Sequence, residues 1–431
     1  MRWTSEPGWC PRGTTRLPGD KSISHRALLL AAIADGESRI SNLPAGGDVA
    51  STASCLRQLG CDVALSDGVA LVPGLGLHGL TAPDEPLECG NSGTTVRLLA
   101  GVLAGQPFAS ALDGDASLRR RPMERVAAPL RMMGARVATA AGRLPLSIHG
   151  GDLRGLAYDT PVPSAQLKSC VMLAGLYADG PTTLREQRPS RDHTERLLAA
   201  MGVEITGVAA SGGTTLRPPA RLEPLVGAVP GDVSSATFWL VAAALAPGSD
   251  MKLEYVGVNP GRSAILELLR SWGADIETSG GADWYGEPTA TLRVRGTDRV
   301  LSGGSVSGDL TTLLIDEVPA LALLGASTRD GIVVRDAAEL RVKESDRIAT
   351  VAAALRALGG EVETFEDGLF VPGGQKLRGG VVSAAGDHRI ALAAAAAAVG
   401  IEGSVQIEGA EVADVSYPGF LGELAARGGA A

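Results

Sequence analysis

The stretch LPGDKSISHRALLLAA, residues 17–32, contains the pattern on which the rest of the chain is built. A Pro-Gly turn leads into small polar residues and two cations, Lys21 and Arg26, and a run of apolar residues follows. This order predicts a buried helix that begins at an anion, because the first N–H groups of a helix have no intrahelical partners and the helix dipole adds positive charge there. Ser22 and Ser24 can cap this helix or donate to the anion.

The same order of turn, small polar residues and apolar helix returns five times along the chain. The anchor residues of the six copies, 68 to 78 residues apart, are Asp20, Ser92, Ser164, Asp232, Asp309 and Asp387, of which the last two begin weaker copies. A second series alternates with the first: an amphipathic helix is closed by glycine and followed by a strand, as in CLRQLGCDVAL from residue 55. The sequence therefore predicts six units of about 70 residues, each with one buried helix, one surface helix and short strands.

The two strongest copies divide the chain into halves. PGDKSISHRA and PGDVSSATFW, the first and fourth copies, begin two sets of three units. The length of 431 residues favours two or three domains, and the repeat selects two. We therefore predict a mixed α/β protein with two similar domains, each made of three repeated helix–strand units. Residues 1–16 predict an irregular lead-in with one strand.

The composition restricts the class of protein. With 45% hydrophobic residues, abundant Ala and Gly, and no run approaching the roughly 18 apolar residues that span a bilayer, we expect a globular cytoplasmic protein. The net charge of −9 argues against a general nucleic-acid surface, so a basic site must be local. The five cysteines are scattered without CxxC spacing, and the five histidines show no HExxH spacing, so neither disulfides nor a metal site is expected.

Cations gather at the turns and helix starts of the repeat. The eight that do so are Lys21, Arg26, Arg97, Arg121, Arg191, Lys343, Arg347 and Arg389. An acidic protein that concentrates cations where helices begin is suited to small, multiply charged anions. Two carboxylates, Asp316 and Glu344, are then available for proton transfer among these cations.

Several of these motifs have a second interpretation. GNSGTTVR, residues 90–97, is a glycine-rich anion turn or a plain helix cap. DGDASLRRRPMERV, residues 113–126, is a solvated charge run or a loop that brings an arginine onto a phosphate or carboxylate. In IDEVP, residues 315–319, burial would raise a carboxylate pKa and favour proton transfer, whereas a cap or ion pair is the alternative.

Two further motifs carry specific expectations. In LRVKESDR, we expect Lys343, Glu344 and Arg347 to lie within one helical turn. In GGDVA, Asp48 is a candidate cap for the first surface helix, and we assign it a structural role.

Taken together, these motifs resemble a known enzyme family. GDKSISHRALLLAA, GNSGTTVRLL, RPM, PSAQLKS, RDHTE, IDE, LRVKESDR and DHRIA occur in the order and spacing of the 3-phosphoshikimate 1-carboxyvinyltransferases, also called 5-enolpyruvylshikimate-3-phosphate synthases. The resemblance implies an enolpyruvyl transferase-like fold with buried parallel helices and domains at 21–231 and 232–431, the second joined by residues 1–20. It also implies an active site in the cleft between the domains.

The resemblance implies a reaction of the shikimate pathway to chorismate and the aromatic amino acids. The enolpyruvyl group of phosphoenolpyruvate passes to the 5-hydroxyl of shikimate 3-phosphate, and phosphate is released. No metal, organic cofactor, nucleic acid or membrane is implied, and we expect a monomer. The inhibitor glyphosate competes for the phosphoenolpyruvate site in this family, and because Gly93 leaves the backbone bare there, we expect sensitivity to it.

The resemblance also assigns residues to the two substrates. Around shikimate 3-phosphate it places Lys21, Ser22, Arg26, Ser164, Ala165, Gln166, Arg191, Asp316 and Lys343. Around phosphoenolpyruvate it places Lys21, Gly93, Arg121, Gln166, Arg347 and Arg389. We expect Asp316 to act as the base at the 5-hydroxyl, with Glu344 and Lys21 as the partners in proton transfer.

Three positions depart from the commonest form of the family, and two other functions compete. Ala165 replaces a frequent serine, Glu339 a frequent asparagine and Val415 a frequent lysine.

The sister enzyme that acts on UDP-N-acetylglucosamine usually carries a reactive cysteine in the loop at residues 113–125, and none occurs here. A noncatalytic polyanion-binding or RNA-binding protein could use the arginines at 119–125, but the charge of −9 counts against it.

Overall fold

In a computed structural model that describes residues 1–6, 8–207 and 213–428, the chain forms two compact units. The N-terminal unit consists of Gly19–Val229 together with Asp283–Glu287. The C-terminal unit consists of Met1–Pro18, Pro230–Ala282 and Pro288–Ala431.

The helices follow the two predicted series. Their bounds are α1 (Lys21–Ala32), α2 (Gly47–Gln58), α3 (Gly93–Ala104), α4 (Glu124–Met133), α5 (Ala165–Gly175), α6 (His193–Ala200), α7 (Val233–Leu245), α8 (Ala264–Ser271), α9 (Asp309–Leu314), α10 (Val318–Ser327), α11 (Arg347–Ala357), α12 (His388–Ala398) and α13 (Phe420–Arg427). Short 3₁₀ helices lie at Leu118–Arg120, Ala338–Val342 and Ala410–Val415.

The strands are short and lie between the helices. Their bounds are β1 (Arg2–Thr4), β2 (Arg12–Arg16), β3 (Asp35–Ser41), β4 (Ala64–Ser66), β5 (Val69–Leu75), β6 (Leu87–Glu88), β7 (Ala109–Asp113), β8 (Arg136–Ala140), β9 (Arg143–His149), β10 (Ala157–Thr160), β11 (Thr182–Glu186), β12 (Ile205–Thr206), β13 (Thr214–Leu216), β14 (Val226–Ala228), β15 (Asp250–Gly257), β16 (Asp275–Trp284), β17 (Glu287–Arg295), β18 (Gly304–Val306), β19 (Ile332–Val334), β20 (Glu363–Phe365), β21 (Gly368–Val371), β22 (Arg378–Ser383) and β23 (Glu402–Glu408).

Each unit contains three sheets among the described residues. In the N-terminal unit the strand orders are β14-β3-β5-β4, β6-β7-β9-β8 and β10-β11-β13-β12. In the C-terminal unit they are β16-β17-β15-β2, β18-β19-β21-β20 and β1-β23-β22. The usual plan joins the strands before and after a buried helix in parallel, as β6 and β7 are joined around α3 with Leu87 opposite Leu112. Three helix–sheet repeats in each unit confirm the predicted α/β fold class.

Two strands do not follow this plan, because each pairs with a strand that is distant in the sequence. β2 precedes α1 in the chain but pairs in parallel with β15, and β14 precedes α7 but pairs in parallel with β3. The lead-in therefore contains two strands, β1 and β2, and the prediction of one strand was wrong. Both strands find their partners far away in the sequence, so no local pattern could reveal them.

The buried helices form the centre of each unit. These are α1, α3 and α5 in the N-terminal unit and α7, α10 and α12 in the C-terminal unit. Close approach explains the small residues: a Cβ on Gly101 of α3 would lie only 2.2 Å from the carbonyl oxygen of Cys170 on α5. No helix in the described ranges is both long and apolar enough to cross a membrane.

Five of the six predicted anchors cap a buried helix. The side chains of Asp20, Ser92, Ser164, Asp232 and Asp387 each accept a hydrogen bond from a first-turn N–H. Asp309 instead opens the six-residue helix α9, whose N-cap is Gly308, and the buried helix α10 begins at Val318. The fifth anchor was therefore wrong, because the fifth copy inserts a short helix and an Asp-Glu pair before its buried helix.

Candidate active site

Residues of the sequence motifs, most of them polar or charged, lie at or near the starts of helices in each unit. The N-terminal cluster consists of Lys21, Ser22, Arg26, Asp48, Asn91, Gly93, Arg97, Arg121, Ser164, Ala165, Gln166 and Arg191. The C-terminal cluster consists of Asp316, Lys343, Glu344, Arg347, Asp387 and Arg389. Each predicted site residue thus belongs to one of two local groups.

The ammonium of Lys21 is held by a carboxylate at the start of α1. Asp20 caps the helix, since its Oδ1 accepts from Ile23 N at 2.9 Å. Lys21 Nζ donates to Asp48 Oδ2 at 2.8 Å, and both side chains are largely buried. The N-cap of α2 is Gly46 and Asp48 lies in the first turn of the helix, so the prediction that Asp48 is the cap was wrong. The acid instead orients the lysine.

Arg26 is the centre of a buried network that joins α1, α5 and α6. Its Nε donates to Thr194 Oγ1 at 2.8 Å, its Nη2 to Ser169 Oγ at 2.7 Å and its Nη1 to the carbonyl of Ser22 at 2.8 Å. Burial lowers the pKa of Arg26 to about 10, against the favourable charges of Glu195 and Asp20. The guanidinium stays charged at neutral pH and fixes the backbone at Ser22.

Two arginines converge on the bare backbone of Gly93. A methyl group built on Gly93 would lie 2.8 Å from Arg97 Nη1 and 3.1 Å from Arg121 Nη1. Arg97 Nη1 donates to Gln166 Oε1 at 2.6 Å, and Arg121 Nη2 donates to Asn91 Oδ1 at 2.6 Å. This arrangement brings three of the motifs together at the start of α3 and suits a planar anion.

The arginine-rich stretch at 113–126 divides into two kinds of residue. Arg119 is exposed and donates to Asp113 through Nε at 2.8 Å and Nη2 at 2.6 Å. These hydrogen bonds and the charge of Arg119 hold the pKa of Asp113 below its usual range. Arg121, in contrast, is buried in the N-terminal cluster. The interpretation as a solvated charge run fits Arg119, whereas the contact of Arg121 with a phosphate or carboxylate stays a prediction.

The start of α5 adds the third set of polar groups. Ser164 caps the helix by accepting from Leu167 N at 3.4 Å, and Ala165 is its first residue. Gln166 bridges to α3, since its Nε2 donates to Thr94 Oγ1 at 3.0 Å. Arg191 lies two residues before α6 and is half-buried.

Arg347 is the centre of the C-terminal cluster. It is 2% exposed and donates to three carboxylates: Asp387 Oδ2 at 2.8 Å, Glu344 Oε2 at 2.6 Å and Asp316 Oδ1 at 3.2 Å. Burial alone would lower its pKa, but the charges of the three carboxylates raise the pKa of Arg347 above its usual value. Burial also opposes ionisation of Asp387, yet the charge and hydrogen bonds of Arg347 hold the pKa of Asp387 below its usual range.

Lys343 and Arg389 both lie close to Asp316. Lys343 Nζ is 3.7 Å from Asp316 Oδ1, and Arg389 Nη1 donates to the Asp316 carbonyl at 3.3 Å. Lys343 and Glu344 lie in the turn before α11, which begins at Arg347, so the expectation that these three share one helical turn was wrong. Arg347, the first residue of α11, nevertheless contacts Glu344 directly and shares Asp316 with Lys343.

The paired carboxylates of the IDE motif have different surroundings. Asp316 joins the cations of the C-terminal cluster. Glu317 is buried and accepts a hydrogen bond from Ser234 Oγ at the start of α7. Ser234 Oγ and Asp232 Oδ1 each accept from Arg262 Nη2 at 2.9 Å. Asp316 therefore lies among the cations of the C-terminal cluster, whereas Glu317 is buried against the start of α7.

Four cluster members were not assigned to either substrate from the sequence, although Arg97 was among the eight cations expected to suit anions. Asp48, Asn91, Arg97 and Asp387 orient Lys21, Arg121, Gln166 and Arg347 respectively. Arg97 and Asp387 lay inside motifs that the sequence singled out, so their position was a usable signal. Asp48 gave none, because an aspartate after two glycines is typical of a helix start.

Comparisons with known proteins agree over nearly the whole chain. A model of the family described as EPSP synthase (3-phosphoshikimate 1-carboxyvinyltransferase) matches residues 11–424. The 3-phosphoshikimate 1-carboxyvinyltransferase of Pelotomaculum thermopropionicum is 51% identical over 420 residues, 96% of each chain. That of Synechococcus sp. strain JA-3-3Ab is 47% identical over 425 residues, 98% of this chain and 95% of the relative. A solved EPSP synthase from Acinetobacter baumannii superposes with a TM-score of 0.88 at 40% identity and covers 100% of this chain and 98% of its own.

Proposed function

This chain belongs to the EPSP synthase (3-phosphoshikimate 1-carboxyvinyltransferase) family, and from that membership we propose which of its residues carry the reaction. The resemblance seen in the motifs is confirmed. The enzyme transfers the carboxyvinyl group of phosphoenolpyruvate to the 5-hydroxyl of shikimate 3-phosphate and releases phosphate. This is a step of the shikimate pathway.

The proposed active site draws on both clusters. The domains would be 21–231 and 232–431, the second joined by residues 1–20, with the substrates bound in the cleft between them. The observation that supports this most strongly is the burial of arginines at helix starts in a chain with a net charge of −9: Arg26, Arg97, Arg121, Arg347 and Arg389. Buried cations that are held by polar partners near helix starts are suited to phosphate and carboxylate groups.

Shikimate 3-phosphate would be bound mainly by the N-terminal cluster. The proposed contacts are Lys21, Ser22, Arg26, Ser164, Ala165, Gln166 and Arg191, with Asp316 and Lys343 added from the C-terminal cluster. Arg26 supports this role because it fixes the Ser22 carbonyl and links α1 to the start of α6. Ala165 offers only backbone at its position, which leaves Ser164 as the hydroxyl of this turn.

Phosphoenolpyruvate would be bound by cations from both clusters. The proposed contacts are Lys21, Gly93, Arg121, Gln166, Arg347 and Arg389. The backbone of Gly93 carries no side chain and lies close to the guanidinium groups of Arg97 and Arg121. A small anion can therefore approach both groups there. Arg97 also holds Gln166 in place.

The chemistry requires a base and an acid. In the proposed mechanism, Asp316 takes the proton of the 5-hydroxyl while the hydroxyl oxygen attacks C2 of phosphoenolpyruvate. Glu344 or Lys21 gives a proton to the methylene carbon. The product of addition is a tetrahedral ketal that still carries the phosphate. Loss of that phosphate, with removal of a proton from the new methyl group, restores the double bond. Arg347 stabilises both carboxylates as the charges shift, because it contacts Asp316 and Glu344 together.

Two neighbouring arginines provide the test of the phosphoenolpyruvate contacts. Arg121→Lys keeps the charge but loses the planar fork, so we expect the KM for phosphoenolpyruvate to rise about tenfold. Arg119→Lys is the matched control, because Arg119 is exposed and bound to Asp113. Equal effects of the two substitutions, or no effect of Arg121→Lys, would remove Arg121 from the site. Cytoplasmic location, monomeric state and sensitivity to glyphosate stay predictions.

A further inference from the structure

Lys168 is a buried cation outside the proposed substrate contacts. It lies on α5 one turn after Ser164, and its side chain is 1% exposed. Its Nζ donates to Glu186 Oε2 at 2.9 Å, Glu195 Oε1 at 2.7 Å and the carbonyl of Ser190 at 3.3 Å. An ammonium has three donors, and these three bonds use them, so Lys168 is placed to hold protein groups in position.

The groups that Lys168 holds enclose the loop that carries Arg191. Glu186 is the last residue of β11, and Glu195 lies in the first turn of α6. Glu186 also accepts from Ser190 N at 3.2 Å and from Ser190 Oγ at 2.5 Å. Ser190 is therefore tied through its N–H, hydroxyl and carbonyl, which fixes the backbone immediately before Arg191.

The same helices hold Arg26 through a second contact. Ser169 follows Lys168 on α5, Thr194 precedes Glu195 on α6, and the two hydroxyls are 2.6 Å apart. Arg26 donates to both of these hydroxyls. The Lys168–Glu195 and Ser169–Thr194 contacts thus fix how α5 and α6 pack against each other. The positions of Arg26 and Arg191 depend on this packing.

Charge gives Lys168 a second effect on the same arginines. Without its ammonium, Glu186 and Glu195 would be two buried carboxylates with no cation between them. Such carboxylates attract the nearest cations strongly, because the surrounding dielectric is low. Glu195 already interacts with Arg26, so it would compete with a substrate phosphate for that guanidinium.

We propose that Lys168 is a positioning residue for the binding of shikimate 3-phosphate. Lys168 fixes the backbone immediately before Arg191, and it neutralises Glu186 and Glu195, which would otherwise attract the arginines of the site. This inference rests on the proposed function, in which Arg26 and Arg191 contact that substrate. Lys168 itself does not touch the substrate.

The first measurement is a comparison of the two Michaelis constants. In Lys168→Met, the KM for shikimate 3-phosphate should rise about tenfold, while the KM for phosphoenolpyruvate changes less than about twofold. Lys252→Met is the matched control, because Lys252 pairs with Glu254 on the surface. Equal changes in both Michaelis constants would show a general loss of structure and would overturn the proposal.

A double-mutant cycle then tests whether Lys168 acts through Arg191. If it does, Lys168→Met should raise the KM for shikimate 3-phosphate by a clearly smaller factor when Arg191→Ala is already present than in the native background, and the remaining effect is the part that acts through Arg26. Fully additive effects would overturn the proposal while leaving the proposed site intact. A normal KM in Arg191→Ala alone would overturn the assignment of Arg191 and this inference with it.

A milder substitution covers the case in which Lys168→Met does not fold. Glu186→Gln leaves one ammonium and one carboxylate in the buried group, so no unpaired charge is created. It weakens the hold on Ser190, and the KM for shikimate 3-phosphate should rise about threefold, again with a clearly smaller rise in the Arg191→Ala background. An unchanged KM in Glu186→Gln would overturn the proposal.

Discussion

Replacing Asp316 by asparagine separates proton transfer from substrate binding. Asn keeps the size of the side chain and one oxygen that can accept from Arg347, but it cannot take a proton from the 5-hydroxyl. General base catalysis typically contributes about 10²–10⁴-fold, so we expect kcat to fall by that factor, or about 3–5 kcal/mol in activation free energy. The Michaelis constants should change far less.

The structure indicates that Asp316→Asn stays folded. Arg347 keeps its contacts with Glu344 and Asp387, at 2.6 and 2.8 Å, and loses only the charge of an acid 3.2 Å away. The Asp316 side chain is 14% exposed, so the loss should reduce the free energy of unfolding by about 1–3 kcal/mol. If most of the variant stays folded, a large fall in turnover cannot come from unfolding. It then reports the loss of the proton transfer.

Phosphate release at saturating substrate concentrations is the assay, together with urea unfolding of each variant. Asp330→Asn is the matched control, because Asp330 pairs with Arg329 on the surface. If Asp316→Asn retains kcat within about threefold of the native value, Asp316 is not the base. If only the Michaelis constants change, Asp316 binds substrate and the proton is taken elsewhere.

Three further substitutions have defined outcomes. Lys21→Ala should keep the fold but lose nearly all phosphate release, because in the proposed mechanism the ammonium held by Asp48 serves both substrate charge and proton transfer; near-normal turnover would exclude Lys21. Gly93→Ala should raise the inhibition constant of glyphosate more than the KM for phosphoenolpyruvate, because the new methyl displaces Arg97 and Arg121; proportional changes would refute this. Burial lowers the pKa of His25 from 6.5 to about 3, so the native state binds fewer protons than the unfolded chain between these values. Native stability should therefore fall as the pH drops through this window, by up to about 1.4 kcal/mol per pH unit, and unfolding of His25→Asn at several pH values should show a shallower slope, whereas an equal slope would contradict it.

The helices could be predicted because their signals are local. Asp20, Ser92, Ser164 and Asp387 each stand directly before an apolar run, and each caps the helix that the run forms. The fifth copy failed because α9 and the Asp316–Glu317 pair separate Asp309 from the helix it was expected to cap. The partners of β2 and β14 could not be predicted, because parallel pairing between distant strands leaves no trace in neighbouring residues.

The cations of the candidate site could be recognised from the sequence, but the contacts that each of them makes could not. Lys21, Arg121 and Arg347 were recognisable as cations beside helix starts, and all three are at least partly buried there. The contacts that orient them, from Asp48, Asn91 and Asp387, join different motifs across the fold. Which of Arg119 and Arg121 is buried likewise depends on how the stretch folds, since the two residues are chemically identical.

The most direct test of the account is to incubate the native protein with shikimate 3-phosphate and phosphoenolpyruvate and to follow the phosphorus signals by NMR. The account predicts that inorganic phosphate and a carboxyvinyl ether of shikimate 3-phosphate appear in equal amounts, and only when both substrates are present. Release of phosphate from phosphoenolpyruvate alone, or no new ether with both substrates present, would contradict it.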